Sequence, residues 1–314
     1  MVVYSIPFPL GGENQTESTR STLTLGHEGT CPSLLSKKHG PKDIPYLSKI
    51  TSPFFGAGGS FVPQNEAIKE YENKHIPGAM FWDVDKHSDN DSPYPHMMSN
   101  SDYWTRMLWS FGIQNNDHIV VYDNSDIYSS CRLWFSLKYF GHEKVSVLDG
   151  GMKKWLKENR PTDNKINQDL GKFSSIDKLN PTTKYSVKEN SELIKNKLQI
   201  DENIKNQSFQ TVDARSRDRF EGKAEEPRPG LKRGCIIGSK NIPFQDCIDS
   251  SSNTFKTKQE LINVFKKNDI NTSKPIVFTC GSGMTACVLG MAYSLISDKN
   301  AVIYDGSWSE YGKE

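Results

Sequence analysis

Apolar residues in this chain follow two alternating rhythms. SDYWTRMLWSFGI (101–113) and CRLWFSLKYFGH (131–142) repeat them at helical spacing. HIVVYD (118–123) and VSVLDGG (145–151) are short β-rich runs that close on turns. Further on, FQTVDARS, KQELINVFKKNDI, KPIVFTC, TACVLGMAYSLI and NAVIYDG follow the same order. Strand–helix alternation with short turns predicts α/β domains, each a mainly parallel sheet flanked by helices.

The rhythm also repeats as a whole. HIPGAMFWD (75–83) is echoed by CIIGSKNIPF (235–244), HIVVYD by PIVFTC (275–280), and VSVLDGGMKKW (145–155) by NAVIYDGSWSEY (300–311). Matching points fall at 75 and 235, 123 and 280, 149 and 305, close to one offset of about 157. A duplicated domain explains this; chance would scatter the landmarks. The predicted organisation is a disordered leader over 1–45, a first domain over 46–160, a polar linker over 161–184 and a second domain over 185–314. The leader is rich in Ser, Thr, Gly and Pro and lacks periodic apolar positions, so it offers too little burial to offset ordering. Glu13, Glu17 and Glu28 speak against an Arg-rich, acid-poor transit peptide.

Charge then narrows the function classes. Among 314 residues, Lys+Arg at 39 against Asp+Glu at 38 leaves a net charge of +1. That gives no global field for nucleic acid or an acidic membrane. No apolar run approaches the ~20 residues of a membrane span. The six cysteines (31, 131, 235, 247, 280, 287) include no C-x-x-C pair. Reduced thiols, no metal and no cofactor are expected.

IVFTCGSGMTACVLG (276–290) carries the candidate chemistry. Cys280 falls where a parallel strand ends, the place where open α/β sheets bind ligands. Gly281 and Gly283 let the loop fold into a cradle of inward N–H groups, and a helix starting near Thr285 adds its dipole. Both favour an anion, the thiolate of Cys280 or a persulfide on it, open to substrate. Ser282 places a hydroxyl beside the sulfur. The offset puts Asp123 at the equivalent point of the first half, which is therefore expected to be catalytically silent. Cys287 reads as core, Cys235 as passive, His75 as a turn stabiliser and His87 as solvent-exposed. Arg215 is expected to pair with Asp213.

HIPGAMFWDVD, SPYPHM, VLDGGMKKWL, VDARSRDRFEG, EEPRPG, CGSGMTAC and YDGSWSEYG together resemble the tandem rhodanese sulfurtransferases, from about residue 66 onward. The resemblance implies two tandem rhodanese-like domains and sulfur transfer through a Cys280 persulfide. The neutral Gly281-Ser282-Gly283-Met284-Thr285 loop resembles the mercaptopyruvate branch, whereas a basic pair there would suit the thiosulfate dianion. Arg219 and Arg228 are implied to bind substrate, with Gly281, Gly283, Met284 and Thr285 lining it. Without the resemblance, either arginine would instead be expected to pair with Asp218, Glu225 or Glu226. Asp85 and His96, acting with Ser282, are implied to move protons across an interdomain cleft.

The implied partners are a small-molecule sulfur donor, 3-mercaptopyruvate with thiosulfate as a poorer one, and a thiol acceptor such as thioredoxin or a small thiol. Neither nucleic acid nor membrane is implied, and a monomer or weak dimer is expected, cytoplasmic or alternatively mitochondrial. A thiosulfate:cyanide sulfurtransferase and a persulfide carrier for tRNA or cofactor thiolation are the competing readings. Residues 47–66 match the family's first strand poorly, so that strand is expected to be altered or missing. Position 286 is alanine where related phosphatases need arginine.

Overall fold

A computed structural model describes residues 2–6, 64–166 and 185–313. The first half comprises β1 (Val2–Ile6), α1 (Gln64–Asn73), β2 (Met80–Phe81), α2 (Ser101–Ser110), β3 (His118–Tyr122), α3 (Ser130–Tyr139), β4 (Val145–Val147) and α4 (Gly151–Lys157). The second comprises β5 (Ile194–Lys195), α5 (Lys197–Asn206), β6 (Gln210–Asp213), α6 (Arg217–Phe220), β7 (Lys240–Asn241), the hairpin β8 (Ile248–Asp249) and β9 (Thr254–Phe255), α7 (Lys258–Lys267), β10 (Ile276–Thr279), α8 (Ala286–Ser294), β11 (Val302–Tyr304) and α9 (Ser307–Tyr311). Helix starts follow local chemistry. Asn100 accepts from the Tyr103 amide to cap α2, and capping boxes built on Asn196 and Thr257 open α5 and α7.

The second sheet runs β5-β11-β10-β6-β7 and is parallel throughout. The first runs β2-β1-β3-β4, with β3 and β4 parallel. Strand β1 is a correction, because Val2–Ile6 lies inside the segment read as a disordered leader. It fills the slot that β6 holds in the second sheet but runs antiparallel to both β2 and β3. VVYSI is a β-branched and aromatic run, and an unpaired flank of β3 offers it a full ladder of partners. The rest of the leader, the expected weak strand before residue 64, and residues 167–184 of the linker lie outside the described residues.

The halves meet through α3 and α8. Every residue of α3 is buried except Lys138, and every residue of α8 from Ala286 to Tyr293 is buried. A helix buried all round needs cover on every side, and here each helix supplies part of the other's. Cys131 and Cys287, one repeat offset apart, are fully buried in these two helices. Cys287 is therefore core, as its apolar neighbours predict. One continuous apolar cluster runs from Met80 in the first half to Ile303 in the second. Among the described residues no helix is long and apolar enough to cross a membrane.

His87 corrects the sequence reading. It is 5% exposed, tilted against Trp82, with its Nδ1 2.8 Å from the Tyr103 hydroxyl. Burial removes the hydration that exposure would have given, and it lowers the His87 pKa to about 3. Burial likewise lowers His142 to about 4, and it raises Asp149 to about 6 against the Phe255 amide bond, which lowers it.

These shifts set a pH dependence. Each depressed histidine contributes stability that is present above its ordinary pKa and lost as pH falls toward the folded value. Asp149 acts oppositely, because its raised carboxyl pKa makes folding relatively better in acid. Between pH 6 and 4.5 these three groups together leave the unfolded chain binding about one proton more, about 1.4 kcal/mol of stability lost per pH unit, and His118, which burial also lowers, adds in the same direction. Asp149→Asn removes the opposing group and should steepen the slope by about 1 kcal/mol per pH unit. Urea midpoints measured across this window check both statements; an unchanged slope in the variant would contradict the assignment.

Candidate active site

Strand β10 ends at Thr279 and delivers Cys280 to the loop that precedes α8. The loop is held from behind by Ser307. Its hydroxyl accepts from the Cys280 and Gly283 amides, at 3.2 and 3.0 Å, and donates to the Tyr304 carbonyl at 2.8 Å. Two of the amides expected to face the sulfur are thus turned to this hydroxyl instead. Gly283 has φ +75°, and a Cβ there would lie 2.9 Å from Arg132 Nη1, so both conformation and space require glycine. Cys280 itself is 2% exposed. An open sulfur was expected and a buried one is found, while the first half's loop joins the neighbouring Ser282.

That junction brings Asp85, His96 and Ser282 together. His96 Nδ1 stands 2.9 Å from Ser282 Oγ, and its Nε2 stands 3.0 Å from Asp85 Oδ1. With a neutral ring, Nε2–H donates to the carboxylate and Nδ1 accepts from the serine hydroxyl. Asp85 and His96 come from the first half and Ser282 from the second. Their sequence separations carry no spacing signal.

The interface around them is doubled. Met98 N donates to Asp305 Oδ2 at 2.8 Å, and Phe255 N donates to Asp149 Oδ1 at 2.8 Å. These pairs are related by the repeat offset. So are His96 and Asn253, both in the left-handed region at φ +62° and +59°. Where His96 reaches the reactive loop, Asn253 makes plain hydrogen bonds, accepting from Tyr128 Oη at 2.9 Å and donating to the Gly150 carbonyl at 3.3 Å. At the position matching Cys280, Asp123 accepts from the Ser125 and Ser130 amides.

The two arginines stand over the cysteine loop. A Cβ on Gly281 would lie 3.1 Å from Arg219 Nη2 and 3.8 Å from Arg228 Nη1. Arg228 Nη2 also lies 3.5 Å from Ser282 Oγ. Burial lowers the Arg228 pKa; the Cys280 charge opposes this and the Arg219 charge adds to it. The side chain stays cationic, and an incoming carboxylate would relieve it. Arg219 is ion-paired to Glu226 at 2.6 Å, the pairing expected without the resemblance, yet it still faces the loop. Glu226 also pairs with Arg215 at 2.7 Å, and Arg215 pairs with Asp213 as expected. Met284 turns its side chain into the core, leaving only its backbone toward the loop. Thr285 is the N-cap of α8.

Sequence reasoning missed Ser307, Asp305 and Arg132. The repeat flagged the Asp-Gly pair at 305, matching Asp149, but nothing local marks the other two as neighbours of the cysteine. No cluster of His, Cys, Asp and Glu suited to a metal ion occurs among the described residues.

With this geometry in place, the comparisons are consistent with one another. The rhodanese-like domain family matches residues 65–158 and 197–314. The 3-mercaptopyruvate sulfurtransferase of Mus musculus is 39% identical over 249 residues, covering 78% of this chain and 80% of its own. The thiosulfate/3-mercaptopyruvate sulfurtransferase 1, mitochondrial, of Arabidopsis thaliana is 37% identical over 262 residues, covering 80% and 69%. Among solved structures, SseA of Escherichia coli, a 3-mercaptopyruvate sulfotransferase of rhodanese fold, superposes with a TM-score of 0.68 at 29% identity, over 83% of this chain and 92% of that one. Two rhodanese-like domains, one carrying a cysteine loop and the other an aspartate in its place, put this chain in the rhodanese-like sulfurtransferase family.

Proposed function

We propose that the chain moves the sulfur of 3-mercaptopyruvate through a persulfide on Cys280 to a thiol or cyanide acceptor, releasing pyruvate. The observation that carries this reading is the convergence on one loop of a cysteine, two guanidiniums and an Asp–His–Ser chain. The thiolate of Cys280 attacks the substrate sulfur. The sulfur–carbon bond breaks, and its electron pair stays on the methylene carbon as the enolate of pyruvate. The proton of the substrate thiol passes to Ser282 as Ser282 gives its own to His96; Asp85 steadies the imidazolium. Returned to the methylene carbon, that proton completes pyruvate. The acceptor thiolate then takes the outer sulfur and frees Cys280 as thiolate.

Arg219 and Arg228 hold the carboxylate and keto oxygen, a planar pair of acceptors that paired guanidinium donors fit better than an ammonium would. Gly281 keeps the loop backbone low enough for both to reach. Arg219→Ala and Arg228→Ala should each raise KM, losing roughly 1.5–3 kcal/mol in kcat/KM. Steady-state pyruvate release checks this, and unchanged kinetics in both would return the two residues to simple ion pairing.

Thiosulfate is the second donor to test, because two cations beside one loop also suit a dianion. Relative rates decide between them, and the neutral Gly281-Ser282-Gly283 loop favours mercaptopyruvate. Persulfide loading by a protein donor, without pyruvate release from mercaptopyruvate, would instead indicate a carrier. The division of labour, with residues 46–160 silent and 185–314 reactive, follows from the same reading, as does a small thiol or thioredoxin as acceptor. A cytoplasmic or mitochondrial setting accords with it, the Arabidopsis thaliana relative being named as mitochondrial.

A further inference from the structure

Arg132 sits on α3, in the half that lacks a reactive cysteine, yet its guanidinium ends inside the active site. Its Nη2 donates to the His96 carbonyl and, at 2.7 Å, to Asp305 Oδ1. Its Nη1 lies 3.4 Å from the Gly283 carbonyl. That carbonyl also receives the Cys287 thiol at 3.1 Å. One buried side chain therefore grips the backbone of the relay histidine and the backbone of the cysteine loop together. Asp305 completes the clasp by accepting from the Met98 amide two residues beyond His96.

Two features argue that this arrangement serves geometry more than stability. A buried ion pair such as Arg132–Asp305 gains little over an apolar pair of the same shape, because both charges must leave water. And the repeat breaks here: one offset on from Arg132 the chain has Val288, so the duplicated helix does without the cation. His96, meanwhile, holds a left-handed backbone at φ +62°, a conformation that a non-glycine residue keeps only where its surroundings impose it. The Arg132 bond to its carbonyl is such an imposition. It fixes the peptide, and through the peptide the direction in which the ring leaves toward Ser282.

We propose that Arg132 is a positioning residue for sulfur transfer: it holds the His96 backbone against the Gly283 turn and so sets the His96–Ser282 hydrogen bond. This inference rests on the relay described under Proposed function. A double-mutant cycle separates the two ideas. His96→Asn is the suitable partner, since Asn253 already occupies the matching position with the same backbone conformation. His96→Asn should slow pyruvate release from 3-mercaptopyruvate by about a hundredfold. Arg132→Lys, which keeps the charge but cannot span both carbonyls, should lower kcat by about tenfold with KM held within about twofold. In the His96→Asn background the same Arg132→Lys change should lower kcat by less than about twofold, because the group it acts through is gone.

If the two losses simply multiply, or if Arg132→Lys leaves kcat unchanged, the positioning role is wrong while the relay stands. If His96→Asn leaves turnover intact, the relay is wrong and this inference falls with it. Should Arg132→Lys not fold, Asp305→Asn enters the same cycle. It keeps an acceptor for Met98 N and loosens the guanidinium, and the same non-additivity is expected.

Discussion

Cys280→Ser should lower pyruvate release from 3-mercaptopyruvate by about three orders of magnitude or more, since among the described residues no other cysteine stands beside the two arginines and Ser282 to take up the sulfur covalently. Mass spectrometry of the wild-type chain after exposure to substrate should show one added sulfur on Cys280, and none on the variant. The candidates for a substitute nucleophile are poor. Cys287 and Cys131 are fully buried and their thiols are pushed upward by burial, Cys287 to about 12. Burial also raises Cys235 and Cys247. Sulfur appearing on any of these, with turnover retained in Cys280→Ser, would overturn the assignment. The serine hydroxyl is close in shape to the thiol, so the loop should keep its bonds to Ser307 and the loss should read as chemistry.

Arg215→Leu should be the most damaging single change to folding, removing roughly 3–5 kcal/mol. The guanidinium is fully buried, stacks 4.4 Å from the centre of the Trp308 ring, and bonds both oxygens of Asp213, one oxygen of Glu226 and the Gly234 carbonyl. Removing it strands the Asp213 carboxylate, whose side chain is 1% exposed, without its cation. Desolvated and unpaired, that charge is far costlier than the lost packing. Glu226 keeps Arg219, so its share of the damage is smaller. Urea unfolding followed by tryptophan fluorescence and far-ultraviolet circular dichroism reads the loss. A loss below about 1 kcal/mol would mean that the two carboxylates find other partners.

Much of the architecture was legible because it is local. Period and punctuation alone place β3, α3, β10 and α8, and the Gly281/Gly283 spacing marks the turn between β10 and α8 that carries Cys280, though not the burial of its side chain. Arg215 with Asp213 was readable from their closeness in sequence. Tertiary facts were not. Nothing in SPYPHM says that His96 will meet Ser282; only likeness to a family joined them. Arg132 and Ser307 act on backbone groups far away in sequence, and a hydroxyl or guanidinium aimed at a peptide leaves no pattern. His87 was misjudged because its neighbours in sequence are polar while its neighbours in space are Trp82 and Tyr103. Val2–Ile6 was hidden by averaging: four strand-forming residues among five disappear in the composition of a long polar segment.

The mirrored amide–carboxylate contacts, Met98 with Asp305 and Phe255 with Asp149, tie each half to the other by the same pair of bonds taken in opposite directions. The embrace is symmetric in its backbone and unequal at its centres: Asn253 stands opposite His96, and Asp123 opposite Cys280. On the mechanism proposed above, a severed second half would keep Cys280 and Ser282 but lose Asp85 and His96, which only the first half carries.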